Sequence, residues 1–138
     1  MSCCCDINVN SPCTIDEAVK NALVVGGVTA TIRTGGIAHQ DNSTYPILVL
    51  ELLNPTNPRN VCSCVQYDAI LQGRIFSTSK VQGIDLANQA TAVIKGESYE
   101  SKAGNFKVSQ ATPPNQLELP DGLFLTRVNC SLVIWVPK

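Results

Sequence analysis

Hydrophobic and polar residues alternate most regularly over residues 122–136, GLFLTRVNCSLVIWV. Successive side chains of an extended strand point to opposite faces. Phe124, Thr126, Val128, Cys130, Leu132, Ile134 and Val136 therefore make one nearly dry face. Leu123, Leu125, Arg127, Asn129, Ser131, Val133 and Trp135 make a mixed one. A strand this long needs paired neighbours on its edges and a sheet or helix over its apolar side. The pattern predicts a β-domain closed by this strand.

Upstream, the pattern changes several times. Residues 1–13 are polar, carry no clear period and hold Cys3, Cys4, Cys5 and Cys13, which reads as an extended arm. Thr14-Ile15-Asp16-Glu17 matches a capping box: the Thr14 hydroxyl accepts from the amide of Glu17, and Glu17 reaches back to the amide of Thr14. Ile15, Val19, Ala22 and Leu23 then recur at helical spacing until Gly26-Gly27, predicting a short helix over residues 15–25. From Val28 the period becomes two and breaks at Gly35-Gly36. Residues 46–53, PILVLELL, form a continuous apolar run, as in a strand covered on both faces. Residues 54–60, with Pro55 and Pro58, read as a turn-rich connector. Residues 61–76 read as one long strand or two. Residues 77–88 carry no decisive pattern. Residues 89–100 and 105–110 look like the arms of a hairpin around residues 101–104, and residues 111–122 like an extended connection. About seven or eight short strands result. That count and spacing predict an all-β fold, a β-sandwich, jelly roll or small barrel, with one short N-terminal helix and an extended N-terminal arm. Residues 1–13 form the Cys-rich arm, and residues 14–138 a single β-rich domain.

Composition shifts the expectation from catalysis toward contact. Charged residues are 15% of the chain, well below the usual quarter, so Ser, Thr, Asn and Gln must supply much of the polar surface. A formal net charge of −1 gives little protection against self-association. The ten Lys and Arg are scattered rather than clustered, which argues against a nucleic-acid footprint. No run approaches the ~20 apolar residues of a membrane-spanning helix, and the first residues lack a secretory signal pattern. The expected setting is cytoplasmic, or a particle assembled there, with no membrane partner.

Candidate chemistry centres on cysteine. Cys3, Cys4, Cys5, Cys13, Cys62 and Cys64 supply enough soft ligands for one tetrahedral zinc site. Their spacing departs from the usual pair of Cys-x₂₋₄-Cys motifs, so structural packing of Cys62 and Cys130 is the simpler reading. Seven cysteines cannot all pair within one chain. Cys3, Cys4, Cys5 and Cys13 are therefore candidates for cross-links to a neighbouring subunit. His39 beside Asp41 could complete a Cys–His–Asp arrangement, but the polar surroundings HQDNST fit a solvated loop. No Gly-x-Ser-x-Gly, Walker loop, dinucleotide fingerprint or His-Glu-x-x-His occurs, and no carboxylates pair. No catalytic residue and no cofactor are assigned, and an enzyme is not expected.

The low-charge, Ser/Thr/Asn/Gln-rich β-chain, the arm at residues 1–13 and the strand at residues 123–136 together resemble the small accessory proteins of tailed-phage virions. These are capsid decoration or cement proteins and head–tail or tail components. The resemblance implies a non-enzymatic structural protein of the virion, a homo-oligomer bound to a larger assembly (capsid or tail) through an arm and strand edges. The competing expectation is a small β-fold binding module that recognises a peptide or glycan through loops 39–44 and 54–60.

Overall fold

A computed structural model describes residues 11–34 and 45–137. Along the chain run α1 (Ile15–Val25), β1 (Thr31–Arg33), β2 (Ile47–Leu52), β3 (Thr56–Val61), β4 (Cys64–Ser77), α2 (Lys80–Ile94), β5 (Ser98–Tyr99), β6 (Asn105–Ala111), β7 (Asn115–Glu118) and β8 (Phe124–Pro137). Among the described residues strand makes up 48% and helix 22%, in one curled eight-stranded sheet, consistent with the expected small barrel or sandwich.

The sheet is built on β4 and β8. They run antiparallel over all 14 residues of each, from Cys64 opposite Pro137 to Ser77 opposite Phe124. On the far side of β4, one half pairs with β2, which carries β1 beyond it, and the other half pairs with β3. The far side of β8 is likewise shared, by β7 near Phe124 and by β6, with β5 beyond it, toward Trp135.

Both helices lie on one face. Ile15, Val19 and Leu23 of α1 and Leu86, Ala87, Ala90 and Ile94 of α2 pack on Leu48, Leu50, Leu71, Ile75, Phe106, Val108, Cys130, Leu132 and Ile134. The dry face expected for the last strand is thus the face turned to the helices. Burying a Leu or Ile there contributes about 1.5–3 kcal/mol. On the opposite face Ile47, Val49 and Phe76 form a second cluster with Tyr45, Leu119 and Leu125. The continuous apolar run of β2 is buried on both sides for this reason.

Helix α1 has the bounds its pattern predicts. Thr14 Oγ1 accepts from the amide of Glu17 at 3.2 Å as expected, while Glu17 Oε2 accepts from the amide of Cys13, one residue before the expected Thr14, at 3.3 Å. Gly27 takes the left-handed conformation (φ 84°) that ends it.

Three segments depart from expectation. Residues 80–94 form α2 rather than an undecided stretch leading into a hairpin arm, so a second helix joins the first; only Ser98–Tyr99 of that arm is strand. Residues 56–61 form β3 despite Pro58. An edge strand tolerates a proline, and the register shifts between Thr56 and Arg59 while Asn57 turns to φ 53°. Residues 115–118 of the expected connection form β7 against β8.

Candidate functional site

The sheet face away from the helices carries the accessible mixed surface. Because Leu71 and Ile75 point to the helices, the even residues of β4 point outward, opposite the odd residues of β8. The rows are Gln66–Trp135, Asp68–Val133, Ile70–Ser131, Gln72–Asn129 and Arg74–Arg127. Trp135 Nε1 donates to Gln66 Oε1 at 3.0 Å. Arg59 on β3 grips Asp68 with two nitrogens at 2.9 and 3.3 Å, and Asn57 Nδ2 donates to the same carboxylate at 3.2 Å. The Arg59 hydrogen bonds, then that of Asn57, hold the Asp68 carboxyl below its usual value. Arg74 pairs with Glu51 at 3.4 Å.

Between β3, β4, β8 and β6 this face opens into a cleft of about 380 Å³. Leu53, Ile70 and Val133 give it an apolar floor; Asp68, Ser109 and Ser131 give it polar walls. Leu53 and Ile70 are 37% and 42% exposed. Among the described residues the remaining exposed large hydrophobic side chains are Val24 and Val25 at the end of α1, Val81 on α2 and Leu117 on β7. Sequence reading missed the cleft, since its floor comes from three segments far apart in the chain. The one signal was Ile70, an aliphatic residue flanked on its side of β4 by Asp68 and Gln72.

Among the described residues the cysteines do not converge as a metal site would require. Cys62 sits exposed in the β3–β4 turn at φ 51°, while Cys64 two residues on is fully buried and disulfide-bonded. The turn therefore removes the shared strand face expected for this pair. Cys13 and Cys130 are free thiols. Cys130 is buried in the core, which pushes its thiol pKa up and leaves it a small apolar residue, as expected; Cys62 does not share that role. Cys13 is exposed just ahead of α1. Cys3, Cys4, Cys5, His39, Asp41 and loop 39–44 lie outside the described residues. Among the described residues, no group of three His, Cys, Asp or Glu is placed to hold a metal ion.

No protein-family model matches the chain, and no curated protein matches it. Its fold is similar to that of a chain in a solved structure described as the virion of a native gene transfer agent (GTA) particle. The TM-score is 0.61 at 10% sequence identity, and the likeness covers 90% of this chain and 95% of that one. At this identity the likeness is one of fold, spanning nearly both chains end to end.

Proposed function

We propose that this chain is a non-enzymatic structural protein of a phage-like virion. In this reading it is a capsid decoration or cement protein that works as an oligomer and holds its shell through residues 1–13 and the β-core. The observation that carries the reading is the near end-to-end likeness of fold to a chain from a gene transfer agent virion. The low charge, the mixed outer face and the exposed thiol of Cys13 beside the arm support it as features of a surface used for contact. Cys3, Cys4, Cys5 and Cys13 remain its candidates for cross-links between subunits.

Co-sedimentation with purified particles, before and after deletion of residues 1–13, tests this reading. The full chain is expected in the particle fraction. The truncated chain should either leave that fraction or yield particles that disrupt more easily, with circular dichroism reporting whether it still folds. A particle indifferent to the deletion removes the arm from the mechanism, and a chain absent from particles removes the reading.

A head–tail or tail position is the second reading. The molecule's exposed apolar residues fall into separate, dissimilar patches, which suit a ring or tube as well as a shell. Immunogold labelling of intact particles separates the two positions. The binding-module alternative gains less support, because residues 56–61 are strand rather than loop.

A further inference from the structure

We propose that the outer sheet face carries a small sugar-binding site centred on Trp135, which takes a pyranose ring of a neutral glycan. The site goes beyond the structural role above and does not depend on it.

Trp135 is the only tryptophan of the chain, and it stands where β6, β8 and β4 run side by side. Asn105 is its partner on β6 and Gln66 its partner on β4, so the three side chains cross the outer face in one row. Adjacent strands lie about 4.8 Å apart, which makes the row a strip roughly 10 Å wide. The bond from Trp135 Nε1 to Gln66 Oε1 leans the indole along this row toward β4. That bond uses the ring's one donor, so the half-buried indole offers a ligand its π surface.

Beside the ring lies a pocket of about 280 Å³, lined by Ser98, Tyr99, Glu100, Asn105, Phe106 and Trp135. Of these three aromatic residues only Trp135 belongs to the outer side. Phe106 is fully buried in the core beneath the helices, and Tyr99 packs against it with ring centroids 5.5 Å apart. Ser98 stands opposite Lys107, two residues from Asn105, and so shares the outer side with Asn105. Glu100 is exposed, and its Oε2 accepts from Ser11 Oγ at 3.5 Å. The pocket thus sets a hydroxyl, a carboxamide and a carboxylate around one indole.

That set selects among the ligands that stack on an indole. The electron-rich face attracts the C–H groups of a sugar ring. The sugar's hydroxyls both donate and accept, as do Ser98 and Asn105, while the Glu100 carboxylate accepts from two neighbouring hydroxyls. A nucleotide fits less well, because its phosphate would meet the Glu100 carboxylate. A quaternary ammonium is held by a cage of several aromatic faces, and the described residues supply one. The volume falls just under the ~300–1,000 Å³ of sites for drug-sized ligands, which suits one ring better than an extended chain. A single site of this kind binds weakly, and copies displayed on one particle would add by multivalency.

Intrinsic fluorescence of the full chain tests the site directly, since all tryptophan emission comes from Trp135. The probes are maltotriose, cellotriose and chitotriose, with choline and adenosine monophosphate as the competing classes. At least one sugar should shift the emission and saturate, with half-saturation at roughly 0.1–10 mM. Asn105→Ala and Glu100→Ala keep the fluorophore and should each raise that concentration about threefold or more. Trp135→Ala should abolish the saturation-transfer NMR signal of the sugar.

Emission unmoved by all three sugars overturns the proposal. So does binding that survives Trp135→Ala, or that is indifferent to both other substitutions. A response to choline or to the nucleotide in place of the sugars refutes it as well. Melting curves report whether the variants fold; if Trp135→Ala or Asn105→Ala does not, Glu100→Ala decides, because Glu100 is exposed. A chain that binds sugar but never enters particles keeps this site and loses the virion reading, and a particle component blind to sugar does the reverse.

Discussion

Gly83, in the first half of α2, is the position where adding one carbon should cost most. A Cβ there would sit inside van der Waals contact of Thr126 Oγ1, 2.9 Å from Ser77 Oγ and 3.2 Å from Gln116 Nε2. Thr126 and Ser77 are completely buried. Their hydroxyls are also engaged: Ser77 Oγ donates to Ser79 O at 2.8 Å, and Gln116 Nε2 donates to Thr126 Oγ1 at 3.0 Å. Gly83→Ala gains about 1 kcal/mol of helix propensity. Against this stand roughly 1–3 kcal/mol of overpacking and about 1 kcal/mol for a displaced hydrogen bond. The expected net is a destabilisation of roughly 1–3 kcal/mol. For a domain of this size that lowers Tm by roughly 4–10 °C. Thermal and urea unfolding followed by circular dichroism measure it. Removing the obstructing hydroxyl should relieve the clash, so Gly83→Ala should cost less in a Thr126→Ala background. Gly73→Ala is the control. Its Cβ would meet Val128 Cγ1 at 3.3 Å and Leu48 Cδ1 at 3.5 Å beside an internal gap of about 20 Å³, so a change within about 0.5 kcal/mol is expected. A Gly83→Ala protein at least as stable as the original would refute the close approach of α2 to the sheet.

Other outcomes follow from the same geometry. Under native, reductant-free conditions Cys13 and Cys62 should react with a thiol reagent while Cys130 reacts only on unfolding, as peptide mapping by mass spectrometry can show. Leu132→Ala, at a site 1% exposed in the middle of β8, should cost about 2–5 kcal/mol in urea unfolding. Thr14→Ala should cost about 1 kcal/mol through the lost cap of α1. The depressed carboxyl of Asp68 supports the folded state above the unfolded value near 3.9, and that support disappears as pH falls through the lower folded value. Asp68→Asn should therefore flatten the acid side of the stability profile slightly and leave neutral pH nearly unchanged, since the pair is exposed.

Much of the sheet was legible because each face of the long strands meets one environment. Thr126, Val128, Cys130, Leu132 and Ile134 are buried in alternation, as their spacing requires. Helix α1 was legible for the same reason, with a cap and an apolar stripe in register. Helix α2 hid because small residues, Gly83, Ala87 and Ala90, make up much of its buried stripe, and they carry little hydrophobic signal. The ending Thr91-Ala92-Val93-Ile94 also reads as strand. A signal was nonetheless present: Ser79-x-x-Gln82 matches the capping-box pattern, and Ser79 Oγ accepts from the amide of Gln82 at 3.1 Å, although Gln82 Oε1 makes no reciprocal bond. Strand β3 was obscured by Pro58, which a sheet edge accommodates. Beyond the lone signal of Ile70 the cleft was not readable, because Leu53, Ile70 and Val133 become neighbours only through strand pairing.

The ladder between β4 and β8 has a kinetic consequence. Its partners are distant in sequence, and four of the six other strands pair directly with one or the other of them. The loop-closure entropy of joining them must be met before the sheet returns much stabilisation, which places the chain among slow folders. Until β8 docks, β4 offers a long bare edge rich in Val, Ile, Leu and Phe, the kind of edge on which chains aggregate. Refolding yield should therefore fall steeply with protein concentration even where the folded state is secure, and the chain's vulnerable interval is the time before its two longest strands meet.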